Sequence, residues 1–101
     1  MNVDFLAPAE AELQKAITFY NKQSEGLGFE FAAEVKRTIE RIVQYPEAWQ
    51  LLSKRTRRCR NNRFPYGVIY QIRTGTILIV AIMHLSRDPK TWKSRLKKED
   101  I

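Results

Sequence analysis

Four side chains in the second half of the chain have the types and spacing to grip an oxyanion: Arg58, Arg60, His84 and Arg87. Arg58 and Arg60 stand two residues apart in a stretch of period two, so a strand carrying them shows both on one face. A guanidinium fork donates paired hydrogen bonds to phosphate or carboxylate oxygens and stays charged at any ordinary pH. Cys59, between the two, then points the other way, into the core, as a small hydrophobe. Arg57 shares that inward side, near its edge, where its head group can reach out. His84 and Arg87 follow the apolar run Ile77 to Met83, at the point where a closing helix begins. On this topology Arg58, Arg60, His84 and Arg87 meet on one side of a sheet.

The elements that must hold them can be read from periodicity. Asn2 to Leu6 is a short candidate strand. Pro8 suits the first turn of a helix, and Ala9, Leu13, Ala16, Ile17 and Tyr20 recur at helical spacing behind it. Gly26-Leu27-Gly28 breaks that helix. A second begins near Phe29, with Phe31, Val35, Ile39, Ile42 and Val43 on one face, and Pro46 stops it. A connection over residues 46–53 is pinned by Trp49 and by Leu51 or Leu52. Three strands follow, Arg57 to Phe64, Gly67 to Arg73 and Thr76 to His84, with a tight hairpin at Thr74-Gly75 and a bend at Pro65 and Gly67. Asp88-Pro89 predicts the start of a closing helix that runs to Lys98, with Asp88 as its cap. The reading is one α+β domain over residues 1–101. A helical hairpin packs on an antiparallel sheet of about four strands, and a C-terminal helix closes the chain.

Charge is one-sided along the chain. Residues 1–50 hold five basic and eight acidic side chains, and residues 51–101 thirteen basic and three acidic. Lys54 to Arg63 alone carries six cations and no acid, and it feeds straight into core β-structure rather than into a polar tail. Such a face predicts a polyanionic partner, nucleic acid or an acidic protein segment; the plain alternative is a solvated basic surface. With one His and one Cys in 101 residues, no metal site and no cofactor are expected. The single cysteine fits a reducing compartment, no apolar run is long enough for a membrane span, and the first residues carry acids where an export signal is positive. The expected location is the cytoplasm.

Taken in order, the two helices, the basic strand, Phe64-Pro65-Tyr66-Gly67-Val68-Ile69-Tyr70, the apolar strand and His84-x-x-Arg87-Asp88-Pro89-x-x-Trp92-x-x-Arg95 resemble the RelE/ParE superfamily. These are toxins of bacterial type II toxin–antitoxin systems. The resemblance runs from the first helix to Arg95. It implies a growth-arresting protein held in check by a cognate antitoxin, with no small-molecule substrate.

It also implies one of two targets. RelE-like members cut mRNA in the ribosomal A site. On that branch Arg58 and Arg60 match a basic pair on the strand, Arg87 a catalytic arginine, and His84 lies near a catalytic histidine. Attack by a ribose 2′-OH on the adjacent phosphate needs a base, an acid and cations for the crowded charge. Two departures stand against it: Gly67 occupies the place of an arginine, and Trp92 and Lys93 occupy the region of a C-terminal tyrosine. ParE-like members poison DNA gyrase, and there the basic face binds rather than catalyses. Arg57, Arg63, Tyr66, Lys90, Trp92, Lys93 and Arg95 are binding candidates for either target, and no single gyrase-contacting residue is singled out. The sequence character leans toward the ParE-like branch, with the endoribonuclease as the alternative and a non-toxic nucleic-acid-binding module as a further one. Trp92, Tyr66 and His84 also suit plain packing or strand-end roles.

Overall fold

The computed structural model describes residues 1–101, the side chain of Pro89 excepted. The two stretches of helical period form α1, Ala7–Gln23, and α2, Leu27–Gln44. Pro8 sits in the first turn of α1, where a missing N–H breaks no helical bond. Gly26 turns the chain between the helices at φ +83°, a left-handed conformation that glycine adopts without steric cost. Gly28 lets them touch: a Cβ there would collide with the Ile17 carbonyl, and its N–H donates to Asn21 Oδ1 at 2.7 Å. Neither helix is long and apolar enough to cross a membrane.

The sheet has five strands: β1 Asn2–Phe5, β2 Gln50–Leu51, β3 Thr56–Arg60, β4 Tyr66–Arg73 and β5 Thr76–His84. Their order is β1-β5-β4-β3-β2. The α+β class and the helical hairpin on a sheet hold; the sheet itself is mixed, because β1 pairs parallel to β5 while the other pairs are antiparallel. The chain leaves β1 through both helices before returning to the sheet, which permits the parallel pairing. The fifth strand, β2, is two residues long, too short for a periodic signal. β3 also ends earlier than its alternation suggests. Asn61 stops it by accepting from the N–H groups of Arg63 at 2.9 Å and Phe64 at 2.8 Å, while its amide donates to Thr38 Oγ1 at 3.0 Å.

The sheet buries both faces. Between helices and sheet lie Phe31, Val35 and Ile42 of α2 against Cys59, Phe64, Val68, Tyr70, Ile79 and Ile82. On the other face Ile69, Val80, Ala81 and Met83 lie under Trp92, with Leu96 and Ile101 beside it. The C-terminal segment that supplies this cover is not the α-helix predicted from Pro89 to Lys98. It is a 3₁₀ helix, Pro89–Arg95, and a second short one, Lys98–Asp100. Asp88 does cap it, accepting from the Lys90 N–H at 2.9 Å. Three residues per turn puts Trp92 and Arg95 on one side, the ring against the sheet and the guanidinium at the β5 backbone.

Tyr70 anchors the helix-side core, and its hydroxyl donates to the Pro46 carbonyl, tying down the connection after α2. Burial pushes its phenol up to about 12. In the unfolded chain it ionises near 10. Its contribution is therefore complete below about pH 10 and falls away as the pH rises toward about 12, by about 2–3 kcal/mol. Urea melts across that range should show the alkaline loss in the wild type and a shallower one in Tyr70→Phe. At neutral pH the substitution should cost about 1 kcal/mol for the lost hydrogen bond.

Candidate functional site

β1 ends at Phe5, opposite Ile79, but β5 runs on to His84. The edge of β5 beyond Ile79 thus has no strand beside it. A bulge at Val80, where Ile69 and Tyr70 pair with Ala81 and Ile79, adds to the backbone groups that need partners. Two side chains meet them. Arg95 Nη1 donates to the Val80 carbonyl at 3.0 Å, and Glu12 Oε1, from α1, accepts from the Ile82 N–H at 3.1 Å. Glu12 and Arg95 also join each other by two bonds, at 2.6 and 2.9 Å. That hydrogen bond raises the Arg95 guanidinium above its ordinary value, against the lowering that burial alone would cause. Arg95 is thereby held inside the fold as a clamp between the C-terminal segment, the sheet and α1.

Arg87 lies outside the clamp. Its Nη1 stands 3.8 Å from Glu12 Oε2, and the side chain is 63% exposed. With Glu12, Lys15, Phe19, Tyr66 and His84 it lines a hollow of about 270 Å³ between α1 and the end of the sheet. His84 pairs with Tyr66 across β4 and β5, and the two rings meet edge to face at 5.2 Å. The Ser86 N–H donates to His84 Nδ1 at 3.1 Å, and the Ser86 hydroxyl lies 2.7 Å from the same nitrogen. Burial, followed by Tyr20, raises the Tyr66 phenol, so it stays a neutral donor at physiological pH.

Arg58 lies on the far face of β3. Its Nη2 donates to Gln50 Oε1 at 3.1 Å, while Nε is buried with no partner among the described residues. Burial, then the neighbouring Arg60, lowers its guanidinium below the ordinary value. The side chain crosses directly over Gly67: a Cβ there would stand 2.8 Å from Arg58 Cδ and 3.0 Å from Cγ. Gly67 is therefore not an empty position. Its missing side chain is the space Arg58 occupies on the way to a small crevice shared with Leu85, His84 and Arg87. The structure brings Arg58, His84 and Arg87 together there; Arg60 is exposed and does not line it.

The remaining candidates are dispersed. Arg57 does reach out from the Cys59 side, but Nη1 donates to the Glu47 and Trp49 carbonyls at 3.0 and 2.8 Å, holding the connection. Arg63 pairs with Glu30 at 2.7 Å and lies over the Phe64 ring. Trp92 is 1% exposed, with Lys93 Nζ 5.8 Å from its ring, so Lys93 and Lys90 meet solvent while the indole does not. Glu12, Lys15 and Phe19 are additions the strand pattern gives no hint of. Their signal is a second helical stripe on α1, alongside the core stripe, carrying a half-exposed phenylalanine.

A different concavity lies along the outer edge of β1, which has no strand partner among the described residues. It measures about 510 Å³ and is lined by Val3, Phe5, Leu13, Val35, Ile39 and Val43, with Lys36 and Glu40 at its rim.

The sequence model of the family described as "ParE toxin of type II toxin-antitoxin system, parDE" matches residues 3–89, both helices and all five strands. No curated protein matches the chain in sequence. A solved structure described as "Chromosomal ParDE TA system from P. aeruginosa" is similar with a TM-score of 0.73 at 14% identity, over 83% of this chain and 95% of that one. At that identity the likeness is one of fold. The chain is a toxin of the type II toxin–antitoxin class. It belongs to the ParE toxin family, and its partner is an antitoxin.

Proposed function

We propose that the toxin arrests growth by acting on DNA gyrase in the cytoplasm, and that its antitoxin seats an apolar-faced segment in the groove beside β1. What supports gyrase over the ribosome is the occupation of Gly67. A ribosome-dependent nuclease of this superfamily would carry an arginine there, and in this chain Arg58 fills the space. The other members of a nuclease set are similarly committed or scattered. Glu12 faces Arg87, the Ser86 N–H points at His84 Nδ1, and Arg60, though beside Arg58, does not line the crevice. Removing a single transition-state cation costs two to three orders of magnitude in rate, so such a set is a poor nuclease. The cations still suit binding to a large anionic surface.

Purified toxin should inhibit supercoiling by gyrase and trap cleaved DNA, and should leave mRNA on translating ribosomes intact. Ribosome-dependent mRNA cleavage that disappears in Arg87→Ala would overturn the gyrase reading.

A further inference from the structure

At the opposite end of β4 from Tyr66, roughly 20 Å away at 3.3 Å per residue, lies a polar concavity of about 400 Å³. Lys54, Arg55, Arg57 and Arg73 line it, with Asp100 as the one carboxylate. We propose that this pocket is a phosphate-binding site for a nucleic-acid strand, separate from the surface around Arg87 and independent of the toxin's target.

Two of its cations are fixed in place by neutral groups. Arg73 donates through Nε at 3.1 Å and Nη2 at 2.7 Å to Gln71 Oε1. Gln71 is itself 2% exposed and anchored through its amide to Thr56 Oγ1 at 3.0 Å and to the Asp100 carbonyl. Arg57 is held by the Glu47 and Trp49 carbonyls through Nη1 alone, so its other nitrogens remain for a ligand. Lys54 and Arg55 are exposed in the β2–β3 turn, which the Leu52 N–H closes on the Thr56 carbonyl at 2.8 Å. Among the described residues none of the four makes an ion pair. Arg37, Arg63, Arg87 and Arg95, by contrast, all face carboxylates. Four cations against the Asp100 carboxylate leave this end of the sheet with a net positive charge that a bound anion would offset.

A phosphodiester strand is the occupant that the lining favours over an acidic peptide. Each arginine fork can take two oxygens of one phosphate. A docked peptide needs slots for apolar side chains, and the fold places such a slot elsewhere, beside β1. Here the apolar lining is Leu51 and Ile72, exposed aliphatic side chains suited to sugar faces.

The test is binding of a short mixed-sequence DNA duplex, followed by fluorescence anisotropy over a range of salt. Each phosphate contact contributes about 0.9 to the slope of log K against log salt. K54Q/R55Q removes two side chains that, among the described residues, hold nothing else in the fold, and should lower the slope by roughly two. K22Q/R37Q removes the same charge from the exposed faces of α1 and α2 and should leave the slope nearly unchanged. Equal losses in the two variants would reduce the effect to net charge and overturn the proposal. So would absence of duplex binding, or displacement of the duplex by polyglutamate at matched charge, which would make the pocket an acidic-peptide site.

Discussion

Glu12→Ala should destabilise the toxin by about 2–3 kcal/mol, less than stranding a wholly buried charge because the pair is partly buried and Arg95 keeps the Val80 carbonyl. Glu12 and Arg95 are 14% and 18% exposed, and the carboxylate also accepts from the Ile82 N–H. Its removal strands the guanidinium and a backbone donor at the open edge of β5. It also frees the C-terminal segment whose Trp92 covers the second core. Urea melts of Glu12→Ala, Arg95→Met and the double variant should show the double losing less than Glu12→Ala alone, because it leaves no orphaned charge. Arg87→Ala serves as the contrast. Its side chain is largely exposed and 3.8 Å from the same carboxylate, so it should cost under about 1 kcal/mol. An equal cost for the Glu12 and Arg87 variants would mean that Glu12 is a surface charge, not the pin of the C-terminal segment.

The contrast between Glu12 and the rest of the site marks what can be read from sequence. The α1 and α2 stripes, the hairpin at Gly75, the inward Cys59 and the family resemblance all rest on local spacing, and the structure and the family match agree with them. Contacts set by distant residues left no such trace. Glu12 and Arg95 are 83 positions apart, and nothing in either neighbourhood announces the other. The Val80 bulge that needs them is invisible in a uniformly apolar strand. Gly67 misleads in the same way. Read along the chain it is a missing arginine; in three dimensions it is the clearance that Arg58 requires. The 3₁₀ form of residues 89–95 likewise has no local signal, since Asp88-Pro89 is an equally good start for an α-helix.

The second large effect is expected at the groove beside β1. Val43→Glu should leave the toxin able to arrest growth while its antitoxin no longer rescues the cell. Val43 is partly buried on the last turns of α2, so a carboxylate there can turn to solvent in the free toxin. In a complex that covers the groove it would be buried against Val3, Phe5 and Ile39 with no cation on that side but Lys36. Losing a central apolar anchor in an interface costs about 2 kcal/mol or more, and each 1.4 kcal/mol is a factor of ten in affinity. Burying the new charge adds to that. Binding should thus weaken by at least about thirtyfold. Growth arrest in the absence of antitoxin is the built-in proof that the variant folds. Titration of the antitoxin by calorimetry then isolates the interface. Retained rescue with unchanged affinity would move the antitoxin off this groove, onto another part of the toxin surface, while leaving the family and its fold as they stand.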